Sequence, residues 1–316
     1  MQSIVSNINA YLVEGQNIFI EPSTSPICHV PPMVKGNAAI DDGNFIFTEE
    51  EKNIFVDRFP NHATLIRPFM GSDELLYGFK RYCLWLAKIS PEKFRDNPEI
   101  MKRIENIRNW RQKSKKAATR KFANTPTIFM ENRQPSTEYL MVPVVSSEHR
   151  KYIPIGFLPP ETIANYSAFI LPNASLFHFS IIASEMHNIW IRYVCGKLEG
   201  RIRYSNTLGY NTFPWPENPS EKQKKEVEEA AQKVLDVREK YLKSSNHSSL
   251  ADLYDPLTMP PDLVKAHQEL DKAVDLCYRP QPFPNETKRI EFLFELYDKY
   301  TADLFTREKP KKTRAK

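Results

Sequence analysis

The sequence predicts an α+β fold in two parts, a mixed β-sheet domain at residues 1–213 and a small α-helical domain at residues 214–308. Short alternating or apolar segments, separated by loops rich in Pro, Gly and Asn, fill the first part and are typical of β-strands. From Ser220 onwards, three long segments repeat apolar residues at helical spacing. The run Phe213-Pro214-Trp215-Pro216 interrupts regular structure and marks the boundary.

Positive charge is concentrated in one segment of the chain. Between Met101 and Lys121 nine Lys or Arg residues stand against the single Glu105, although the whole chain has a net charge of only +5. The segment therefore carries +8 and the remaining residues sum to −3. Such a basic element is typical of a surface that binds a polyanion. The alternative is a solvated helix face, which normally mixes both signs one turn apart.

The basic segment has the features of a single helix. Asn97 is a suitable N-cap, Pro98 fits the first helical position, and Pro126 should end the helix. A narrow stripe at helical spacing predicts that it docks along one side: Ile100, Ile104, Ile107, Ser114 and Ala118. We expect its basic side chains to contact nucleic-acid phosphates: Lys102, Arg103, Arg108, Arg111, Lys113, Lys115, Lys116, Arg120 and Lys121.

Three β segments are predicted after this helix, at about Thr127–Glu131, Glu138–Val145 and Tyr152–Leu158. The loops between them carry side chains that can read base edges, because Arg pairs with guanine, Asn with adenine, and a carboxylate accepts from the cytosine amino group. The candidate base readers are Asn132, Arg133, Ser147, Glu148 and Arg150.

A further basic segment begins at Arg201. Its alternation of basic and apolar residues predicts an extended strand with Arg201 and Arg203 on one face, suited to phosphates or to a groove. A structural role for the two arginines is an equal alternative.

No catalytic motif is found in the sequence. An amino-directed DNA methyltransferase needs an Asn/Asp-Pro-Pro-aromatic loop for the flipped-out base and a Gly-rich turn to approach its cofactor. The three Pro-Pro pairs follow Val30, Leu158 and Met259 instead, and no GxG occurs among the nine glycines. HExxH, GxSxG and paired CxxC motifs are also missing. We therefore expect neither catalytic residues nor a bound cofactor in this chain.

A metal site is not expected either. His178, Glu185 and His187 fall on one predicted helix, but nine residues place the two histidines roughly 180° apart. The four cysteines are widely spaced, which predicts reduced structural thiols. No apolar run approaches a membrane span and the N-terminus has no signal-peptide pattern, so we expect a cytoplasmic protein without a membrane partner.

Several long motifs, in the same order, resemble one known family. SKKAATRKFANTPTIF, VPVVSSEHRKYIPIGFL and RIRYSNTLGYNTFPWP are similar to the target-recognition region of MmeI-like (type IIL/IIG) restriction-modification proteins. SLADLYDPLTMPPDLVKAHQELDKAVDLCY resembles the C-terminal helical domain of that family. Its members join an endonuclease, an adenine-specific DNA methyltransferase and a recognition domain in one chain.

The resemblance implies that residues 1–213 are a DNA target-recognition domain and that the partner is double-stranded DNA. It further implies that S-adenosylmethionine is the cofactor of the parent enzyme, and that methyl transfer occurs in a methyltransferase domain of the parent chain or of a partner subunit. The tail at residues 309–316 is basic, is expected to be disordered, and could add unspecific DNA affinity.

Three alternatives remain open at this point. The chain could be a free-standing specificity subunit that recruits a separate methyltransferase through its helical domain. It could instead be an RNA-binding protein that uses an aromatic-rich sheet, which a preference for single strands would reveal. A hydrolase is the most distant alternative, and a metal-dependent activity would reveal it.

Overall fold

The structure, a computed structural model, describes residues 7–12, 18–244 and 249–306. Its strands are β1 (Val34–Lys35), β2 (Ile46–Thr48), β3 (Ile66–Met70), β4 (Arg81–Leu84), β5 (Tyr139–Pro143), β6 (Val145–Ser146), β7 (Gly156–Leu158), β8 (Ile163–Ala164), β9 (Ala168–Pro172), β10 (Lys197–Leu198) and β11 (Arg201–Arg203). Its helices are α1 (Glu49–Arg58), α2 (Ser72–Tyr77), α3 (Pro98–Gln112), α4 (Ala117–Lys121), α5 (Leu176–Ala183), α6 (Glu185–Val194), α7 (Glu221–Leu242), α8 (Leu250–Leu253), α9 (Pro261–Tyr278) and α10 (Glu286–Thr306). This distribution confirms the predicted α+β class.

The strands of the described residues form three sheets. The first is antiparallel and has the order β1-β9-β5-β7, with Leu140 opposite Leu171. The second has the order β2-β4-β3-β8, in which β3 and β8 run parallel. The third, β10-β11-β6, joins a late hairpin to a strand from the middle of the chain. Parallel and antiparallel pairs thus occur together, as the prediction of a mixed sheet requires.

The predicted strand at Glu138–Val145 is confirmed as β5, which pairs with β9 on one side and with β7 on the other in the first sheet. Leu140 and Val142 belong to the main hydrophobic core, whereas Tyr139 and Met141 belong to a smaller cluster on the other face. All four side chains are fully buried. The alternation of neighbours with period two is the geometry of a strand that is covered on both sides.

The other two predicted β segments are largely wrong. Of Thr127–Glu131, only Glu131 forms a β-bridge, with Ala38, while Phe129 turns inwards and packs in the aromatic core of the second sheet. The segment predicted at Tyr152–Leu158 contains a strand only from Gly156 onwards. Its first residues bind side chains of α6 and α9 instead of a neighbouring strand.

Helix α3 begins where the sequence predicts. The Asn97 side-chain oxygen accepts hydrogen bonds from the amides of Glu99 and Ile100, at 3.0 and 3.1 Å. Ile104 and Ile107 are buried, as is Ile100, and they pack against the aromatic residues under the second sheet. The N-cap and the first part of the apolar stripe are therefore confirmed.

The prediction of one continuous basic helix is wrong. Helix α3 ends at Gln112, and a turn precedes the short helix α4. Arg120 folds back over the break, and its Nη1 donates to the carbonyls of Ser114 and Lys115, at 2.8 Å each. These bonds satisfy acceptors that the interrupted helix would otherwise leave open. Ala118 is exposed, so the stripe does not continue through α4 as expected.

The predicted helical region is confirmed, and its three long helices are α7, α9 and α10. They do not form a separate core. Ile181 and Trp190 of the preceding region share one hydrophobic cluster with Val227, Leu263 and Phe294. The boundary predicted between residues 213 and 214 is therefore not marked by a gap in packing, and the division into two domains stays a prediction.

Three further predictions concern the cysteines, membrane-spanning segments and the basic tail. The four cysteines are unpaired: Cys28, Cys83, Cys195 and Cys277. Within the described ranges, no helix combines the length and the apolar character that crossing a bilayer requires. The basic tail at 309–316 lies outside the described residues.

Candidate nucleic-acid interface

Five lysines of the basic segment are exposed and form no ion pair within the described part of the chain: Lys102, Lys113, Lys115, Lys116 and Lys121. Three of them, at positions 113, 115 and 116, occupy the turn between α3 and α4. Their charges are not neutralised by neighbouring carboxylates, so the turn projects a positive potential into solvent. These three residues, Lys113, Lys115 and Lys116, are called the lysine turn below.

Two arginines of the same segment are engaged by the fold. The guanidinium of Arg103 lies 3.9 Å from the ring centroid of Phe47 and donates to the Asn44 carbonyl at 3.0 Å. Burial lowers the pKa of Arg103 from its ordinary value, and the Glu99 carboxylate opposes that shift. Arg108 is exposed and pairs with Glu105 at 3.1 Å. Both guanidinium groups therefore already interact with groups of the protein itself.

The prediction that Arg111 contacts phosphate is corrected by its burial. Its side chain has no exposed surface, and every nitrogen of the guanidinium donates to the backbone. The acceptors are the carbonyls of Ala39, Ile40, Phe122, Thr125 and Ile128, at 2.9 to 3.2 Å. Arg111 therefore ties α3 to two loops. Its position four residues after Ile107, on the apolar stripe, was the signal in the sequence.

Arg201 and Arg203 lie on the β10–β11 hairpin, and both side chains are exposed while Ile202 between them is buried. Strand β11 pairs with β6, with Ile202 opposite Ser146. Arg201 also pairs with Glu199 at 2.8 Å. The structure thus places the two arginines on one face of a strand, and their contact with phosphate remains a prediction.

The β6–β11 pairing brings the loop at residues 147–150 beside this hairpin. The Glu148 carboxylate lies against Gly200, where a Cβ atom would stand 2.5 Å from Oε1. Glu148 also pairs weakly with His149, at 3.7 Å. Two candidate base readers, Ser147 and Glu148, therefore neighbour the two hairpin arginines. Sequence reasoning missed Gly200, although a glycine directly before Arg201 was a signal of close approach.

Arg150 is placed differently from Glu148. It is half-buried, and its Nε is shielded from solvent without a hydrogen-bond partner among the described residues. Hydrogen bonds from Ser249 lower the pKa of Asp252 in α8, and the charge of Arg150 adds a smaller effect of the same sign. The positive charge of Arg150 therefore acts on α8 of the helical region as well as on the loop.

Asn132 and Arg133 are exposed and lie on another loop, which the buried Asn37 holds in place. The side-chain oxygen of Asn37 accepts from the Arg133 amide at 2.7 Å. Arg133 donates through Nη1 to the Gly36 carbonyl and to Glu131, at 3.2 and 2.7 Å. Over the described ranges, no hydrogen bond or ion pair joins this loop to residues 147–150. The five candidate base readers therefore lie on two different loops that hold their positions through different contacts.

The polar residues that could suggest a metal each have a different partner. His178 bonds Ser175, whereas Glu185 pairs with Lys151 at 3.1 Å and His187 bonds the Tyr204 hydroxyl at 2.9 Å. Burial lowers the pKa of His187 to about 3, so this imidazole is neutral at physiological pH. Within the described residues, no group of three or more His, Cys, Asp or Glu side chains is arranged to hold a metal ion.

An α+β region that exposes unpaired lysines and a hairpin of arginines has the features of a nucleic-acid-binding module, and here it packs on a helical region. Residues 14–217 match the family described as MmeI, target recognition domain. Residues 219–305 match the family described as MmeI, C-terminal domain. The chain therefore belongs to the MmeI family of target-recognition and C-terminal domains, and the resemblance seen in its motifs is confirmed.

Two relatives place this family membership in context. The chain is 38% identical over 300 residues to DNA methyltransferase A of Bacillus subtilis (strain 168). The matched region covers 95% of this chain and 33% of that protein. A solved structure of the type IIL restriction-modification enzyme MmeI in complex with DNA is 44% identical and superposes with a TM-score of 0.89. That match covers 94% of this chain and 39% of the solved chain. The chain thus spans about a third of the length of the curated relative.

Proposed function

We propose that this chain is the sequence-specific double-stranded DNA recognition module of an adenine-specific, S-adenosylmethionine-dependent DNA methyltransferase with restriction activity. It selects the target site and positions it for catalysis by a domain outside these residues. The observation that carries the proposal is the contact between residues 147–150, called the Glu148 loop, and the β10–β11 hairpin with Arg201 and Arg203, called the arginine hairpin. This contact puts a candidate base reader beside candidate phosphate contacts.

The lysine turn supplies affinity in this proposal. Unpaired, exposed lysines gain free energy by displacing condensed counterions from DNA, and they do so for any sequence. Arg120 is exposed and belongs to the same surface, although its Nη1 is shared with two carbonyls. Phosphate contacts of this kind fix the position and orientation of a duplex without reading it.

The two loops supply specificity. On one loop, Glu148 would accept from a cytosine amino group with Ser147 beside it, and on the other Asn132 and Arg133 would read adenine and guanine. Arg201 and Arg203 would grip the backbone next to the first loop. Arg150 is the weakest of the five candidates, since its half-buried side chain is already associated with α8.

One strand–glycine–helix turn of the described residues has groups that do not fit S-adenosylmethionine. At the strand–glycine–helix turn formed by β3, Gly71 and α2, the protein fills the space with its own groups. The Gly71 amide donates to Glu74 at 2.8 Å, and the Ser72 amide donates to the Ser167 hydroxyl at 3.1 Å. A Cβ at Gly71 would collide with that hydroxyl. Methyl transfer and DNA cleavage are therefore assigned to other parts of the enzyme, which would act in the cytoplasm.

The test is selection from a pool of random duplex DNA by the purified chain at several salt concentrations, followed by sequencing of the retained molecules. We expect one short motif to be enriched, and affinity for random duplex to fall steeply with salt. Preference for single-stranded RNA, or retention that does not respond to salt, would overturn the proposal.

A further inference from the structure

Two residues that follow the Glu148 loop, Lys151 and Ile153, are held by helix α6. The Lys151 ammonium pairs with Glu185 at 3.1 Å, and the Lys151 carbonyl accepts from Arg192 at 3.0 Å. The Ile153 amide donates to the side-chain oxygen of Asn188 at 2.7 Å. The chain leaving the loop is thus fixed on both sides of Tyr152 by side chains of one helix.

The side chain of Tyr152 packs against helix α9 of the C-terminal region. Its ring stacks on the imidazole of His267 with 4.1 Å between centroids and 18° between planes. Its hydroxyl donates to Asp271 Oδ2 at 2.6 Å. His267 and Asp271 are four residues apart and therefore lie on the same face of the helix. Tyr152 is 3% exposed, so this contact is dry.

Asp271 joins three elements through one carboxylate. While Oδ2 accepts from Tyr152, Oδ1 accepts from the Glu185 amide at 2.7 Å, at the first residue of α6. The side chain of Asp271 is buried, so an oxygen that lost its donor would not regain one from water. The loop, α6 and α9 therefore depend on one another at this carboxylate.

The other end of the loop is anchored elsewhere. Ser146 lies in β6 and pairs with Ile202 of β11, and Glu148 rests against Gly200 of the same hairpin. Residues 147–150 thus span two fixed points, the arginine hairpin at one end and the Tyr152 contact at the other. A short loop with both ends fixed presents its side chains in a narrow range of positions, which reduces the entropy lost on binding.

We propose that helix α9 positions the Glu148 loop for base reading through the contacts of His267 and Asp271 with Tyr152. The C-terminal helical region then sets DNA specificity although it does not itself read bases. This inference rests on the proposed function, because it assigns a positioning role within the same recognition surface. Tyr152, His267 and Asp271 are positioning residues, since they act through the loop.

The experiment compares Tyr152→Phe with Tyr278→Phe in the same chain. Both variants lose one hydroxyl, and the Tyr278 hydroxyl donates to the Pro214 carbonyl at 3.1 Å, away from the loop. Affinities for the enriched motif and for random duplex are measured at a temperature at which every variant is folded. We expect Tyr152→Phe to lose about tenfold in affinity for the motif alone. The salt slope on random duplex should stay unchanged, and Tyr278→Phe should keep full specificity.

A double variant separates positioning from stability. Tyr152→Phe leaves a buried carboxyl oxygen without its donor, and burial already raises the pKa of Asp271 to about 7. Adding Asp271→Asn keeps an acceptor for the Glu185 amide and removes the cost of ionising the buried carboxyl, so it recovers part of the stability that is lost above pH 7. Specificity should remain low in the double variant, because the loop is still released. Recovery of specificity together with stability would overturn the inference, as would equal motif enrichment by Tyr152→Phe and the unaltered chain. If the unaltered chain enriches no motif, the proposed function itself fails.

Discussion

Gly200 and Glu148 are in direct contact across the β6–β11 pairing, and the space that a side chain at position 200 would need is occupied by the Glu148 carboxylate. The contact joins the arginine hairpin to the loop of candidate base readers. Because the obstructing atoms belong to the end of a flexible side chain, a methyl group there would displace the carboxylate rather than the backbone.

Gly200→Ala therefore tests the position of Glu148. We expect the free energy of unfolding to change by less than about 1 kcal/mol, since the Glu148 side chain is exposed and can move. Affinity for the preferred motif should fall about tenfold while affinity for random duplex is kept. Gly196→Ala in the same hairpin is the control, because a Cβ there meets nothing within 4 Å. Equal loss on motif and random DNA would assign Glu148 to backbone positioning.

The lysine turn predicts a change in salt dependence. Removing two phosphate contacts with Lys115→Gln and Lys116→Gln should weaken binding to all sequences and flatten the slope of log K against log salt by about two units. Binding isotherms on random duplex from low to moderate salt measure that slope. The control is Lys222→Gln with Lys225→Gln on α7, two exposed lysines that each pair with a glutamate one turn away. An unchanged slope would refute the role of the turn.

Arg111 predicts a loss of stability instead of affinity. Arg111→Lys keeps the charge but cannot reproduce five hydrogen bonds to carbonyls, so the free energy of unfolding should fall by about 2–4 kcal/mol. Chemical denaturation measures this loss, with Arg108→Lys on the same helix as the exposed control. At a temperature where the variant is folded, its salt slope on random DNA should equal that of the unaltered chain. A flatter slope would return Arg111 to the phosphate contacts.

His187 predicts a response to acid. Burial lowers the pKa of its imidazole to about 3 in the folded protein, below its ordinary value of 6.5. The unfolded chain therefore binds a proton first, and stability that is present above pH 6.5 is lost as the pH falls towards 3. Relative to His187→Gln, the unaltered protein should lose about 1.4 kcal/mol per pH unit across that window. A difference between the two proteins that does not change with pH would contradict the buried neutral imidazole.

Local sequence was sufficient to predict features that depend on a single helix. The cap at Asn97 and the stripe from Ile100 to Ile107 follow from helical spacing, and the long helices follow from their amphipathic pattern. The segment Thr127–Glu131 has the composition of a strand, but Phe129 packs into an aromatic cluster and only Glu131 forms a β-bridge. Propensity loses to packing in such cases, because burying a large ring gains more than one strand pairing.

The arrangement of the recognition surface could not be predicted in this way. Glu148 meets Gly200 only because β6 pairs with a strand more than fifty residues later, and no local pattern specifies that register. Arg111 illustrates a different limit. A count of charges treats every arginine alike, whereas its place on the apolar stripe shows that one of them points into the fold.

The hydrophobic cluster that unites Ile181 and Trp190 with Val227, Leu263 and Phe294 has a consequence for chimaeras between members of the family. A chimaera joined at residue 218, between the two matched families, would bring together halves of one core that had diverged separately. Recombination that transfers residues 14–305 as a unit keeps those complementary surfaces together. A chimaera that exchanges only one half should therefore be less stable than one that exchanges the whole recognition and helical segment.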